Sequence, residues 1–219
     1  MSTKVVAIAA AKGGVSKSTV AGALGVYAAS DGERVMLIDA EPQQSLGLWW
    51  ERRGKPENPD LTSVDGERVL TRAVGKIRTA GEIDLVLIDT PPAMLERIEA
   101  AISVSNFVLI PVRASIFDVE AISPVAELCN QYDKPFAFLV SQADPKWKLL
   151  NAIIEALGDY GTVLPEHIRY NSAYAVAVTS GKTGPEASGK AGADARDDIA
   201  ALWKSLKRRL GPSKVRARA

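Results

Sequence analysis

A glycine-rich stretch with two lysines near the start of the chain has the residue types and spacing needed to hold phosphate groups. Residues 12–19 read Lys-Gly-Gly-Val-Ser-Lys-Ser-Thr and directly follow an apolar run at residues 5–10. A buried strand that enters such a turn and continues as a helix presents backbone N–H groups and the positive end of the helix dipole to an anion. Lys17 can then reach the β- and γ-phosphates of a nucleotide, and the Ser18 hydroxyl can bind Mg²⁺. The stretch therefore predicts a phosphate-binding loop.

Two aspartates at the ends of other apolar runs could complete such a site. Asp39 follows the run at residues 35–38, and Asp89 follows the run at residues 85–88. In an open α/β sheet, ligands bind beyond the carboxyl ends of the strands, so these side chains and the loop can converge. An aspartate in this position can hold Mg²⁺, directly or through water, or orient an attacking water molecule.

Three segments together resemble the motifs of a known family, the ParA/MinD ATPases. They are residues 12–19, 38–43 (Ile-Asp-Ala-Glu-Pro-Gln) and 87–92 (Leu-Ile-Asp-Thr-Pro-Pro), which are similar to the deviant Walker A, Walker A′ and Walker B motifs. Residues 111–115 with Asp118, and residues 169–175, resemble the short ParA proteins that have no N-terminal helix-turn-helix. The resemblance implies a weak, partner-stimulated ATP hydrolase that uses ATP or ADP with Mg²⁺.

The resemblance also implies a role for each residue of the site. Lys12 would be the signature lysine, which reaches the phosphates of ATP in the partner of an ATP-dependent homodimer and neutralises charge as an arginine finger does. Lys17 would bind the β- and γ-phosphates and Thr19 the α-phosphate, while Asp39 would position the attacking water and Asp89 would hold Mg²⁺ through water. The catalytic residues are then Lys12 and Asp39, the metal-binding residues are Ser18, Asp39 and Asp89, and the nucleotide-binding residues are Lys12, Gly13, Gly14, Val15, Ser16, Lys17, Ser18, Thr19 and Gln142.

Three residues leave alternatives open. Ser16 stands where the family normally has glycine, and its side chain either donates to a phosphate oxygen or crowds the site. We hypothesise that nucleotide binding survives and that hydrolysis is slow. Asp118 is either a functional residue or an ordinary helix N-cap. Gln142 lies either near the adenine or in a solvated loop, and the solvated loop is the favoured alternative.

The C-terminal end of the chain is basic, although the net charge of the whole sequence is +1. Residues 190–219 contain nine Lys or Arg and three Asp or Glu, including Lys214, Arg216 and Arg218 near the very end. Such an end is typical of contact with nucleic acid or an anionic membrane. The single cysteine, Cys129, excludes a disulfide or a cysteine-pair metal site within one chain, which disfavours a metal-cluster carrier. No stretch approaches the ~20 apolar residues that span a bilayer.

Apolar runs and segments of helical periodicity alternate along the chain. Strands are expected at residues 5–10, 34–38, 85–88, 107–111, 136–140 and 162–164. Helices are expected at residues 17–30, 45–53, 66–80, 95–104, 119–132, 148–157 and 194–210, and loops at residues 54–60 and 181–192. This alternation predicts an α/β fold with a doubly wound, mostly parallel sheet of about seven or eight strands. We expect one ATPase domain, residues 1–211, and a basic tail, residues 212–219.

The favoured function is that of a ParA-type ATPase, cytoplasmic and associated with the nucleoid. It would dimerise on ATP, bind DNA non-specifically and segregate plasmid or chromosomal DNA with a ParB-like or cargo adaptor protein that stimulates hydrolysis. One alternative is a ParA-like ATPase that positions a protein assembly, such as a chemotaxis cluster or a carboxysome. Another is a MinD-like membrane-cycling regulator, for which the last helix, with an apolar stripe among basic residues, would lie in the membrane interface. We expect this stripe to pack on the core instead.

Overall fold

The computed structural model describes residues 3–211 apart from residues 145 and 148, and this part of the chain forms one seven-stranded sheet. All strand pairs are parallel, and the strand order is β3-β2-β4-β1-β5-β6-β7. The strands are β1 (Lys4–Ile8), β2 (Val35–Asp39), β3 (Asp60–Ser63), β4 (Leu85–Asp89), β5 (Phe107–Arg113), β6 (Phe136–Ala143) and β7 (Val163–Arg169). The chain winds outward in both directions from β1, so the carboxyl end of β1 lies at the topological switch point where α/β folds bind ligands.

Helices cover both faces of the sheet. They are α1 (Lys17–Ser30), α2 (Ser45–Arg52), α3 (Glu67–Ala80), α4 (Leu95–Val104), α5 (Ile116–Val119), α6 (Ser123–Gln131), α7 (Leu149–Gly158), α8 (Ser172–Val178) and α9 (Gly189–Leu210). One core cluster joins the sheet to α3, α4, α6 and α7, and the other joins it to α1, α2, α8 and α9. The strands are apolar on both faces because both faces are buried. The expected doubly wound α/β fold is confirmed.

Strand β3 and the short helix α5 differ from the expected elements. Residues 54–60 were expected as a loop, yet Asp60 already pairs with Met36 as the first residue of β3. This edge strand has a single strongly apolar residue, Leu61, so it lacks the continuous apolar run of the inner strands. The helix expected at residues 119–132 is α6, which begins later, at Ser123, and the short α5 precedes it. Pro124 lies in the first turn of α6, where its fixed φ suits a helix start.

The segment expected to be an irregular connection, residues 181–192, is ordered by side-chain contacts. Glu186 accepts hydrogen bonds from the backbone N–H and the hydroxyl of Thr183, both at 2.8 Å, in a capping box. Arg53 donates to both carboxylate oxygens of Glu186, at 2.8 and 2.9 Å, and so ties the segment to the end of α2. Helix α9 begins at Gly189, earlier than the expected residue 194.

The apolar stripe of α9 packs against the domain, as expected. Its members are all buried: Ile199, Leu202, Trp203, Leu206 and Leu210. The Trp203 indole also donates to Asp31 at 2.7 Å and fastens α9 to the end of α1. Such a stripe is not available to a membrane surface. Within the described residues, none of the helices has the length and apolar character required to cross a bilayer. The expected basic tail, residues 212–219, lies outside the described residues.

Candidate nucleotide-binding site

The sheet register brings the two candidate aspartates together at the end of β1. Asp39 and Asp89 are the last residues of β2 and β4, and their Cα atoms are register partners. Ile8, the last residue of β1, is the register partner of Asp89 on its other side. Because all three strands end at one edge, the loop that leaves β1 starts beside both carboxylates. The expected convergence of the loop, Asp39 and Asp89 is present in the structure.

The loop between β1 and α1 has the backbone of an anion-binding turn. Gly14 has φ 73° and Ser16 has φ 75°, and α1 begins immediately afterwards at Lys17. Gly13 and Gly14 are exposed, whereas Val15 is buried, so the glycine backbone faces solvent while the loop is anchored behind it. The Ser141 hydroxyl provides one anchor because it donates to the Val15 carbonyl at 3.0 Å. Ser18 and Thr19 lie in the first turn of α1, within reach of an anion at the helix N-terminus.

Ser16 and Gln142 are joined by a hydrogen bond. The Gln142 side-chain amide donates to the Gly14 carbonyl at 2.8 Å and to the Ser16 hydroxyl oxygen at 3.1 Å. Gln142 therefore braces the phosphate-binding loop from strand β6, and the favoured alternative, that it lies in a solvated loop, is wrong. Ser16 occupies the left-handed region, where a residue with a Cβ costs roughly 1–2 kcal/mol relative to glycine. That backbone conformation explains why glycine suits this position.

Lys17 and Asp89 are titratable groups in a buried environment. Lys17 is 7% exposed, and its Nζ donates to the Lys12 carbonyl at 3.1 Å. Burial lowers the pKa of Lys17, against the opposing effect of Asp89 and Glu41. Burial raises the pKa of Asp89 to about 7, although the Ser18 hydroxyl opposes that shift.

The Asp89 carboxylate fits a hydrated divalent cation. It is fully buried, and among the described residues neither of its oxygens has a hydrogen bond of normal geometry. A buried polar group without partners requires an explanation such as an ion or water, and carboxylate and hydroxyl oxygens are ligands that Mg²⁺ prefers. Asp89 with the neighbouring Ser18 hydroxyl therefore forms a donor set of the kind expected for Mg²⁺.

Asp39 has a different environment from Asp89. Its Oδ1 accepts from the Glu41 backbone N–H at 3.0 Å, and its Oδ2 accepts from the Gly47 N–H at 2.9 Å. Burial raises the pKa of Asp39, and these backbone hydrogen bonds oppose the shift. Both oxygens hold the connection into α2, so Asp39 is less suited than Asp89 to the metal role that the sequence suggested for it.

Lys12 is held by a buried carboxylate. Its Nζ donates to Asp118 Oδ1 at 2.8 Å and to the Phe117 carbonyl at 2.9 Å. Arg113, at the end of β5, donates from Nε to Asp118 Oδ2 at 2.6 Å. Asp118 lies inside α5 and its side chain is 2% exposed, so the alternative that it is a helix N-cap is wrong.

Sequence reasoning gave no individual role to two arginines that contact this edge of the sheet, although one of them lies in the segment 111–115 that resembles the family. Arg113 directly follows an apolar run, and that position at the end of a strand next to β1 was the signal that could have identified it. Arg97, in α4, donates to the Ala40 carbonyl at 3.2 Å and to Asp65 at 2.5 Å. Its contacts join α4 to the segment after β2, and the sequence pattern around Arg97 carries no such signal.

A family model and curated relatives match this chain. Residues 6–184 match the model described as the CobQ/CobB/MinD/ParA nucleotide binding domain. The chain is 30% identical to Protein ParA of Rhizobium radiobacter over 62% of each chain. It is 41% identical to the maintenance of carboxysome distribution protein A of Gloeobacter kilaueensis over 42% of this chain and 40% of that protein. Both matches cover less than two thirds of the relative. The chromosome-partitioning ATPase Soj of Thermus thermophilus is 26% identical over 84% of this chain and 90% of its own length.

Solved structures share the fold. The MinD cell division protein of Aquifex aeolicus has a TM-score of 0.77 at 18% identity, covering 97% of this chain and all of that chain. A Cyanothece McdA variant in complex with ATP has a TM-score of 0.73 at 19% identity, over 98% and 99% of the two chains. MinD of Pyrococcus horikoshii complexed with Mg-ADP has a TM-score of 0.74 at 16% identity, over 95% and 98%. At such identities these likenesses show the fold alone.

Proposed function

We propose, since this chain belongs to the CobQ/CobB/MinD/ParA nucleotide-binding family, that it is a ParA-type ATPase that dimerises on ATP and segregates plasmid or chromosomal DNA. The observation that carries the proposal is the meeting of the phosphate-binding loop with Asp39 and Asp89 at the end of β1. The relatives named ParA and Soj support the ParA branch of the family. The ATP and Mg-ADP complexes of proteins with this fold support the same nucleotides as ligands of this chain.

The loop residues would bind the nucleotide through complementary charge. ATP with Mg²⁺, when bound, would supply the γ-phosphoryl group for transfer to water and a cation to neutralise its charge. Lys17, whose ammonium is buried beside the loop, would pair with the β- and γ-phosphates, and Thr19 would contact the α-phosphate. Ser18 and Asp89 would hold Mg²⁺, with Asp89 acting through water. We place Asp89 rather than Asp39 there because the Asp89 oxygens have no hydrogen bond of normal geometry among the described residues, whereas each Asp39 oxygen accepts one backbone hydrogen bond and keeps a lone pair for a water molecule.

Hydrolysis would depend on Asp39 and on a lysine from a second copy of the chain. Asp39 would orient the attacking water, and because burial raises its pKa it is a better proton acceptor than an exposed aspartate. Lys12 would leave Asp118 and neutralise phosphate charge across the dimer, as a positioned cation does in other phosphoryl transfers. Release of Lys12 would thus connect nucleotide binding to dimerisation, and a ParB-like or cargo adaptor would stimulate turnover.

Non-specific DNA binding is assigned to the exposed cations at the end of α9. Lys207 already forms an ion pair within the protein, because its Nζ lies 2.9 Å from Asp31. Arg208 lies 3.8 Å from Glu166 and is largely exposed. Within the described residues no ion pair forms to Lys204 or Arg209, which leaves these two cations available to phosphates. Dimerisation would double the number of available cations and place the protein on the nucleoid.

The proposal is tested by DNA binding with and without ATP. We expect ATP and Mg²⁺ to produce a dimer whose binding to duplex DNA of arbitrary sequence falls steeply with salt, since each phosphate contact contributes a slope of roughly −0.9 in log K against log salt. The double variant Lys204→Gln with Arg209→Gln should weaken binding and flatten the slope. The matched control, Arg72→Gln with Lys76→Gln on the exposed face of α3, should bind as the wild type does. Binding that is absent, or that does not depend on ATP, contradicts the proposal.

A second candidate function is the positioning of a protein assembly. It is favoured by the 41% identity to a carboxysome distribution protein over 91 residues. The two functions predict different defects in cells that lack this protein. Faster loss of a plasmid or of chromosome copies supports segregation, whereas misplaced assemblies with normal DNA inheritance support positioning.

A further inference from the structure

Two successive residues at the end of β6 both contact the phosphate-binding loop. The buried Ser141 hydroxyl donates to the Val15 carbonyl at 3.0 Å. The Gln142 side-chain amide donates to the Gly14 carbonyl at 2.8 Å and to the Ser16 hydroxyl oxygen at 3.1 Å. Three consecutive loop residues are therefore tied to the end of a strand that has neighbours on both sides in the sheet.

An irregularity in β6 explains how both side chains reach the loop. In a regular strand successive side chains point to opposite faces, which would carry Ser141 and Gln142 away from each other. Over residues 140–143, β6 advances three residues while the paired part of β7 advances two, which is the count of a β-bulge. Gln142 lies in this bulge with φ 53°, a left-handed conformation that is uncommon for a residue with a Cβ. The bulge therefore turns Gln142 towards the loop, as bulges beside active sites re-aim side chains.

These contacts determine where the N–H groups of the loop point. In a trans peptide the carbonyl of one residue and the N–H of the next point in opposite directions. Because the carbonyls of Gly14 and Val15 are tied to β6, the N–H groups of Val15 and Ser16 point away from β6. Gly14 and Ser16 both have left-handed backbones, as in the backbone nests that bind anions. The end of β6 thus holds the loop in an anion-binding arrangement before any nucleotide is present.

Ser16 and Gln142 compensate each other. Serine at φ 75° has a steric cost that glycine does not have, so a contact is needed to retain it there. A glutamine amide carries two N–H donors, and the amide nitrogen of Gln142 contacts both the Gly14 carbonyl and the Ser16 hydroxyl. A glycine at position 16 would lack that hydroxyl. A side chain without donors at position 142 would leave Ser16 strained and without this hydrogen bond.

We propose that Gln142 is a positioning residue that holds the phosphate-binding loop ready for a diphosphate group, and that Ser16 and Gln142 form a matched pair. The bulge in β6 aims Gln142 at the loop, Ser141 and Gln142 turn the loop carbonyls towards β6, and the opposite N–H groups receive the phosphates. Gln142 acts through the loop backbone and makes no contact with the base of the nucleotide. The inference rests on the proposed nucleotide-binding function and names the residues that prepare the site for it.

Binding of ADP and of inorganic diphosphate, each with Mg²⁺, distinguishes a loop brace from a contact with the base. Gln142→Met keeps the length of the side chain and removes both donors. If the loop is then in the binding arrangement for about a tenth of the time, both ligands should bind about tenfold more weakly and by factors that agree within about twofold, since apparent affinity scales with that fraction. Calorimetric titration measures both affinities. Gln131→Met, at the exposed end of α6, is the matched control and should bind both ligands as the wild type does.

Two results of these titrations contradict the brace. A loss of affinity confined to ADP overturns the proposal, because it indicates that Gln142 contacts the base. Unchanged affinity of Gln142→Met for both ligands overturns it as well, because the loop would then need no brace.

A double-mutant cycle tests the matched pair. Ser16→Gly should retain ADP affinity within about twofold, because Gln142 still holds the Gly14 carbonyl and glycine tolerates the left-handed region. In this background Gln142→Met should weaken ADP binding only about threefold, compared with about tenfold when Ser16 is present, because no strained side chain remains in the loop. Equal factors in the two backgrounds overturn the pairing of Ser16 with Gln142.

Limited trypsin digestion of the nucleotide-free protein tests the brace without any ligand. Cleavage of the Lys12–Gly13 bond requires the loop to open, so Gln142→Met should accelerate it severalfold relative to cleavage after Lys76 in α3. An unchanged ratio overturns the brace. Ser141→Ala removes the other tie and should raise the same ratio, which keeps the brace testable if Gln142→Met fails to fold. A wild-type protein that binds neither ADP nor diphosphate refutes the proposed function instead, and the digestion result still stands.

Discussion

The Asp89 carboxylate should destabilise the nucleotide-free protein at neutral and alkaline pH. It is fully buried, lacks hydrogen bonds of normal geometry among the described residues and lies next to Asp39 on the neighbouring strand. Burial raises its pKa from 3.8 to about 7. Asp89→Asn keeps the shape of the side chain and removes the charge, so the variant should be more stable than the wild type where Asp89 is ionised.

The size and sign of this effect follow from proton linkage. In the folded protein Asp89 keeps its proton up to about pH 7, whereas in the unfolded chain it loses this proton near pH 3.8. Between these two pH values the folded state therefore binds one proton more than the unfolded state. The contribution of Asp89 to stability is therefore most favourable at low pH and is lost as pH rises towards 7, by at most about 1.4 kcal/mol per pH unit. Across the whole interval the loss is at most about 4 kcal/mol. The stability difference between Asp89→Asn and the wild type should grow by up to ~3 kcal/mol from pH 5 to pH 8.

Urea unfolding at pH 5, 6, 7 and 8, with a chelator and without nucleotide, measures this difference. The exposed Asp159→Asn, which follows α7, is the control and should give a curve parallel to that of the wild type. Adding Mg²⁺ and ADP should stabilise the wild type more than Asp89→Asn, because the variant lacks the carboxylate that would hold Mg²⁺ and a ligand stabilises the folded state according to its affinity. If Asp89→Asn and the wild type show parallel pH curves, the carboxylate is not the destabilising group and the reasoning fails.

Two further changes have expected outcomes. Ser16→Gly should remove the cost of a side chain at φ 75°. Because glycine also loses more entropy on folding, the unfolding free energy should rise by at most about 1 kcal/mol. In an ATPase assay the turnover of this variant should exceed that of the wild type with ADP affinity retained, and equal turnover would show that Ser16 does not slow hydrolysis. Gly192→Ala should destabilise by about 3 kcal/mol in urea unfolding, because its Cβ would lie 1.8 Å from the Ala187 carbonyl oxygen, whereas Gly75→Ala in the open interior of α3 should stabilise by roughly 0.5–1 kcal/mol. Equal effects of these two alanines would contradict the close approach at Gly192.

The parts of the fold that the sequence predicted are those in which burial determines residue type. β1, β2 and β4 are buried on both faces, so each appears as an apolar run, and the polar residue that ends β2 or β4 is conspicuous. The convergence of Asp39 and Asp89 followed from the rule that parallel strands end at one edge. Edge strand β3 was not predicted, because an edge strand buries less apolar surface than an inner strand does. Its sequence, Asp-Leu-Thr-Ser, therefore lacks the apolar run that marks the inner strands.

The polar contacts of the site could not be predicted, because they join residues distant in sequence. Gln142 reaches the loop at Ser16 across 126 positions, and Lys12 reaches Asp118 across 106. The local sequence pattern does not predict which of several nearby acidic groups will form an ion pair with a given lysine. The left-handed backbone at Ser16 is hidden for a related reason, since serine gives no local signal for positive φ where glycine would have given one.

The charges at the end of β1 indicate how the proposed nucleotide-dependent switch would work. Burial displaces the pKa of Lys17 downward and the pKa values of Asp39 and Asp89 upward, so each of these groups is shifted towards its neutral form. A phosphate chain beside Lys17 and a divalent cation beside Asp89 would reverse both shifts, and the free energy released would appear as binding. Lys12 differs, because Asp118 already compensates it within the subunit. In the proposed ATPase, a bound nucleotide would therefore act first on the buried groups that lack compensation, and a stronger anion than Asp118 would be needed to draw Lys12 away, so movement of Lys12 would be the later step.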